Sequence, residues 1–244
     1  MPDRHWRQLP LETASGEENM ARDRALLDQC IAGQSPPILR FYRWQPTAIS
    51  LGYHQRQWPA HWANLTVHGE PLTVVRRPSG GRAVLHHRDL TYALVMPWTG
   101  RSRLTSYRLI CDSLIQAWQH LGIPLHYGTA GRGYIHHPSC WGTATAADLL
   151  TPEGYKLIGS AQLRRGPMLL QHGSIALRPD PTLYHQIFGE PMPGGIPPAL
   201  AAFASEERDD QIMDAIAVAL ATQFAITFER SSGVAEGADQ CARR

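Results

Sequence analysis

Lysine is almost missing from this chain: arginine carries all but one of its 23 basic side chains, and Lys156 stands alone. With 21 acidic residues against those 23 the formal charge is only +2. That balance excludes a broadly basic nucleic-acid face and leaves local positive patches at most. Cysteine is scarce as well. Cys30, Cys111, Cys140 and Cys241 are widely spaced, without a CxxC pair or a zinc-ligand spacing, so neither a disulfide framework nor a metal is expected. No apolar run approaches the roughly 18 residues of a membrane span, and the opening Met-Pro-Asp-Arg-His-Trp-Arg lacks the apolar centre of a signal peptide. A soluble, cytoplasmic protein is expected. An internal repeat, a coiled-coil heptad, a Walker loop and a Rossmann fingerprint are absent too.

What is present suits one globular domain: 244 residues, 43% of them hydrophobic, enough for a sizeable core. Its organising stretch is Arg76-Arg77-Pro78-Ser79-Gly80-Gly81-Arg82-Ala83-Val84-Leu85-His86. β-favouring residues flank a glycine pair that lets the chain turn sharply and lets a ligand approach bare backbone. The same composition also suits a plain hairpin turn, but three arginines and the pair His86-His87 crowd this one. Further arginines gather at Arg101, Arg103 and Arg108 and at Arg164-Arg165, which a solvated face or an acidic partner would explain equally well.

Ser15-Gly16-Glu17-Glu18 reads as a capping box opening a helix to about Ala32. Its stripe of Met20, Asp23, Leu27 and Ile31 carries a carboxylate, for which an arginine near the glycine turn is a candidate partner. Short strands are expected over 39–44 and 47–51, and a surface helix or loop over 58–70. A second helix is expected over 106–121, with Cys111 on its apolar face as a core residue and Gly122 ending it. Residues 127–147 read as a long irregular loop containing His136, His137, Ser139 and Cys140. A hairpin follows, Tyr155–Gln162 and Met168–Leu177 around Arg165-Gly166-Pro167. Lys156 sits in its first strand, where an ammonium must reach water, a carboxylate or a substrate. Then come a Pro/Gly-rich wrap over 179–198, a last helix over 206–223, a short strand over 225–228 and a disordered tail over 231–244. Helices alternating with hairpins argue for an α/β (α+β) domain, a mixed sheet with helices on one side.

Cys140, Lys156 and His172 are the reactive types in or beside the unusual segments. A cysteine becomes a nucleophile where a cation or base favours its thiolate, and Lys156 is the natural cation if the hairpin folds back over the loop. A half-buried structural thiol is the other reading.

Three blocks, 6–27 (WRQLPLETASGEENMARDRALL), 76–93 (RRPSGGRAVLHHRDLTYA) and 156–177 (KLIGSAQLRRGPMLLQHGSIAL), resemble the biotin/lipoate protein ligase-like catalytic domain, in its lipoate-attachment branch. The resemblance implies one such domain over 1–230, with a mixed β-sheet and packed helices. It also implies an acyl pocket lined by the glycine turn and the hairpin, and Lys156 as the active-site lysine. Within the branch, the Gly-Gly-Arg at 80–82, the Leu-Thr-Tyr after it and Cys140 followed by an aromatic look like cysteine-dependent octanoyltransferases. The function so implied is transfer of octanoyl from octanoyl-acyl carrier protein, through a Cys140 thioester, to a lysine of a lipoyl-domain acceptor. That acceptor would be the glycine cleavage H protein or a 2-oxoacid dehydrogenase E2. Substrate contacts are then expected from Arg76, Ser79, Gly80, Gly81, Arg82, His86, Gly159, Ser160 and His172. No cofactor, nucleic acid or membrane is implied, and a monomer is expected. An ATP-dependent lipoate ligase and a non-catalytic acyl-binding protein remain the alternatives.

Overall fold

The computed structural model describes residues 4–98, 102–128 and 148–231; Cys140 and the tail expected after Ser231 lie outside them. Strands β1 (His5–Gln8), β2 (Glu12–Ala14) and β3 (Ile38–Trp44) surround helix α1 (Gly16–Ile31) in sequence, and β4 (Ala48–Leu51) follows. After a 3-10 turn come β5 (Thr66–Val67), β6 (Glu70–Pro71), β7 (Thr73–Arg76), β8 (Val84–His86) and β9 (Leu90–Pro97). Helix α2 (Arg103–His120) leads to β10 (His126–Tyr127), β11 (Asp148–Leu150), β12 (Lys156–Arg165) and β13 (Met168–Ile175). Helices α3 (Pro181–Phe188) and α4 (Asp209–Phe224) and strand β14 (Thr227–Arg230) complete the order.

The main sheet runs β10-β11-β12-β13-β9-β3-β1-β14, with β2 also on β3. Its β10-to-β3 part is antiparallel, whereas β1 joins β3 and β14 in parallel. Alternate residues of the central strands point to opposite faces. Leu39, Phe41, Leu94 and Met96 pack in one cluster with α2 and α4, while Ile38, Tyr42, Ala93 and Val95 pack with Met20, Leu26 and Leu27 of α1. Helices therefore cover both faces, not the one side expected from the order of elements; periodicity reports that a helix has an apolar stripe but not which face of a sheet receives it.

The capping box forms as read: Glu18 N–H donates to Ser15 Oγ at 3.3 Å, and Ser15 N–H to Glu18 Oε2 at 2.9 Å. Burying Leu27 and its neighbours contributes roughly 1.5–3 kcal/mol for each large side chain, which outweighs any single cap. Two other expectations change. The glycine stretch is not a hairpin turn, because β7 and β8 do not pair with each other; each pairs with β4, in the order β7-β4-β8, and the stretch crosses over β4. The 179–198 wrap contains α3, whose Leu183 and Ile187 are buried against Ile49, Leu51 and Trp62. Trp62, in the 58–70 segment, donates its indole N–H to the Ile187 carbonyl at 2.8 Å, tying the two irregular stretches together. Among the described residues no helix is long and apolar enough to cross a membrane.

Candidate active site

A cavity of about 550 Å³ opens between the glycine crossing, the β12–β13 hairpin and the start of α2. Gly80, Gly81, His86, Gly159, Ser160 and His172 all line it, as do Met20, Tyr42, Trp44 and Tyr107. The other expected contacts fall elsewhere among the described residues. Ser79 lies behind the wall, bonded to His172. Arg76 is exposed and donates from Nη1 to the carbonyls of Gly52, Tyr53 and Gln55. Arg82 is half-buried, and its carbonyl accepts from Arg77 at 2.7 Å.

Arg77 fixes the shape of the crossing. Its guanidinium donates to the carbonyls of Gly80 at 2.8 Å, Arg82 at 2.7 Å and Ser50 at 2.7 Å. Gly81 has φ +98°, and a Cβ on Gly52 would land on the Gly81 carbonyl. The glycines are thus needed for a left-handed residue and for the close approach of two backbones.

Both histidines of the wall are committed to buried partners. Asp23 is an acceptor from Arg40 (2.8 Å), Tyr42 (3.0 Å) and His172 Nδ1 (2.9 Å). His172 Nε2 is hydrogen-bonded to the Ser79 hydroxyl at 2.5 Å. Ser79, His172 and Asp23 stand in triad order, yet Ser79 is 1% exposed and outside the cavity lining. The chain anchors the glycine crossing to β13. The partner of Asp23 is Arg40 of β3, not an arginine of the glycine turn as expected; the β3 register places it under α1. His86 repeats the pattern: Nδ1 to Asp89 Oδ2 at 2.9 Å, Nε2 to Ser50 Oγ at 2.9 Å, and its ring stacked on Trp44 at 3.7 Å. Burial lowers the His86 pKa, against the pull of Asp89, so the neutral ring donates from Nδ1 and accepts at Nε2. Burial, with Asp23 beside it, raises the Tyr42 phenol well above its ordinary value.

The β11–β12 corner differs. Lys156, 3% exposed, pairs with Asp148 Oδ1 at 2.9 Å, and Asp148 and Gly159 line the cavity. The register opposes Leu150 to Lys156 but Leu149 to Ile158 and Asp148 to Gly159, so Leu157 is an extra residue, a β-bulge. Asp148 escaped sequence reading; the signal for it was a carboxylate opening the short strand that must pair with the lysine's. Cys111 is buried, and burial pushes its thiol pKa up, as suits a core residue; burial likewise takes Cys30 to about 11.

A mixed sheet covered on both faces, with a ligand-sized cavity and a buried amine at its corner, defines an α/β domain with a candidate active site. The chain belongs to the lipoyl protein ligase A/B catalytic domain family, whose sequence pattern matches residues 15–221. It is 39% identical over 191 residues to the octanoyltransferase LipM of Kyrpidia tusciae, covering 72% of this chain and 67% of that protein. It is 33% identical over 219 residues to the octanoyltransferase LipM of Lysinibacillus sphaericus, covering 85% and 74%. The fold matches a candidate lipoate protein ligase of T. acidophilum solved with bound lipoic acid, at TM-score 0.71 and 20% identity over 95% of this chain and 90% of that one.

Proposed function

We propose a course for the reaction of this octanoyltransferase in which Cys140 carries the acyl group and Lys156 manages charge and protons. The observation that carries it is the buried Lys156–Asp148 pair at the edge of a slot whose remaining polar groups are largely spent on one another. An octanoyl thioester is already activated, so the Cys140 thiolate attacks its carbonyl, the donor's C–S bond breaks, and the donor thiolate leaves and takes up a proton. The Lys156 ammonium favours the attacking thiolate and stabilises the oxyanion. In the second half, the acceptor lysine attacks as a neutral amine. Lys156 being neutral after giving its proton to the departing donor thiolate, the enzyme's C–S bond breaks, an amide forms, the amine's proton passes to Lys156, and the Cys140 thiolate is restored. Gly80 and Gly81 offer bare backbone to the acyl chain, and His86 and His172, their ring nitrogens held by buried partners, line the slot without acting as bases.

The donor in this reading is octanoyl-acyl carrier protein, and the acceptor is a lipoyl-domain protein such as the glycine cleavage H protein or an E2 subunit. Acidic partners of that kind fit the local arginine clusters of an otherwise near-neutral chain. The test is transfer from octanoyl-carrier protein to a lipoyl domain with no nucleotide present. Product without ATP supports the course given. Product only with ATP and free lipoate makes the chain a ligase, and no modified acceptor under either condition makes it a binding protein.

A further inference from the structure

We infer that Asp148 is the positioning residue of Lys156, and that the Leu157 bulge and Gly159 are the backbone devices that let it act. The inference rests on the reading of Lys156 as the working amine. In an uninterrupted strand, residues 156 and 159 would face opposite sides of the sheet. The bulge between Lys156 and Ile158 removes that alternation. Leu157 and Ile158, though adjacent, are both fully buried in the same core cluster, as expected when two bulged residues share one side of the sheet. Lys156 is thereby re-aimed along its own strand toward Gly159. A Cβ at Gly159 would sit 3.0 Å from Lys156 Cε and 3.5 Å from Nζ. Glycine leaves the space the lysine's stem occupies, and Asp148, opposite Gly159 in the ladder, fixes where the ammonium stops.

Among the described residues Asp148 is the carboxylate ion-paired with Lys156, while Asp112 of α2 accepts from the Tyr127 hydroxyl at 2.7 Å. From α2 the Tyr107 phenol and the Cys111 thiol face Asp148, and burial raises both pKa values, with Asp148 adding to each. The neighbouring Tyr92 phenol, bonded to Ser160 Oγ at 2.8 Å, is raised by burial too. These groups stay protonated and neutral, so the direct ion pair that Lys156 makes with Asp148 is not duplicated by any of them. A buried ammonium deprived of such a partner favours its neutral form. Asp148 therefore keeps Lys156 a cation for the first half-reaction, beyond holding it in place.

The single lysine of the chain makes this measurable without reference to turnover. Lysine labelled with ¹³C at Cε, incorporated biosynthetically, gives one side-chain signal, whose shift with pH reports Lys156. Asp148→Asn is expected to lower its titration midpoint by about one unit or more and to slow acylation of the enzyme by octanoyl-carrier protein more than tenfold; Asp148→Glu is expected to restore part of both. An unchanged midpoint in a folded Asp148→Asn protein, or undiminished acylation, overturns the inference. Gly159→Ala keeps the carboxylate but crowds the lysine stem, and is expected to slow acylation with the midpoint moved less than in Asp148→Asn; unaltered acylation would remove Gly159 from the device. Should Lys156→Ala itself acylate and transfer at wild-type rates, the fault lies with the role given to Lys156, an outcome the labelled titration keeps separate.

Discussion

Two parts of one cavity wall are built on opposite rules. Around His172 and His86 each ring nitrogen is bonded to a buried partner, so two rings, each backed by a carboxylate, have their polar atoms spent inside the wall. At the β11–β12 corner an amine and a carboxylate pair beside the open slot, on a strand whose regular alternation is interrupted. The difference teaches that burial alone does not mark chemistry. His172 and Lys156 are about equally hidden, at 5% and 3% exposure, but the network around His172 is closed inside the wall, while the lysine's counter-ion faces the ligand space.

The largest effect should come from the nucleophile assigned to work with that corner. Cys140→Ser is expected to abolish transfer with the fold intact, because a hydroxyl is a far weaker nucleophile. Intact-mass measurement should find a hydroxylamine-labile octanoyl adduct on the wild type alone, and an adduct on Cys111 would move the assignment. Next, Lys156→Arg keeps a charge but cannot act as a base. It is expected to form the acyl-enzyme yet pass it on about 100-fold or more slowly, so acyl-enzyme should accumulate in time-resolved mass spectra. Normal turnover by the arginine variant would restrict Lys156 to electrostatics.

Changes on the histidine side should register in stability before chemistry. Asp23→Asn leaves Arg40, 1% exposed, without its buried carboxylate, Asn19 remaining as a neutral partner, at a cost of roughly 3–5 kcal/mol or about 10 °C in Tm. A loss under about 1 kcal/mol, set against that expectation, would mean the pair is poorly coupled. His86 supplies a smaller, pH-linked effect. Its folded pKa lies below the unfolded value, so the unfolded chain binds the proton first as the solution is acidified. The stability this neutral ring contributes is complete above about pH 6.5 and is lost on going below it. His86→Gln should flatten the fall of Tm below that pH, and an equally steep fall would assign the acid sensitivity to other groups. Smallest of all, reversing Arg164 and Arg165 to Glu should slow turnover more at 0.01 M than at 1 M salt, the Debye length dropping from about 30 Å to 3 Å. Equal losses would point instead to the contacts the two residues make with Trp98 and Asp28.

The same contrast governs what the sequence discloses by itself. The capping box, the β12–β13 hairpin, the core position of Cys111 and the need of Lys156 for a partner were legible because local rules fix them: a side chain three residues away, a glycine at a turn, a lone cation in an apolar strand. Asp148, the Arg40–Asp23 pair and the crossing over β4 were not legible. Each depends on which strand lies beside which, and a single sequence carries no direct signal for register across more than a hairpin. Trp62 and α3 escaped for a related reason: proline- and glycine-rich composition says that a segment turns, not that its few apolar residues find each other.

The pairing of β1 with β14 bears on how the domain resists force. The two strands run parallel, His5 beside Thr227 and Gln8 beside Arg230, and β1 is held on its other side by β3. Tension applied before His5 and after Arg230 pulls these strands past one another lengthwise. Their hydrogen bonds are then loaded together in shear, whereas an antiparallel pair of terminal strands could open one bond at a time. Force applied between the two ends of the described domain therefore meets β1–β14 as a seam loaded in shear.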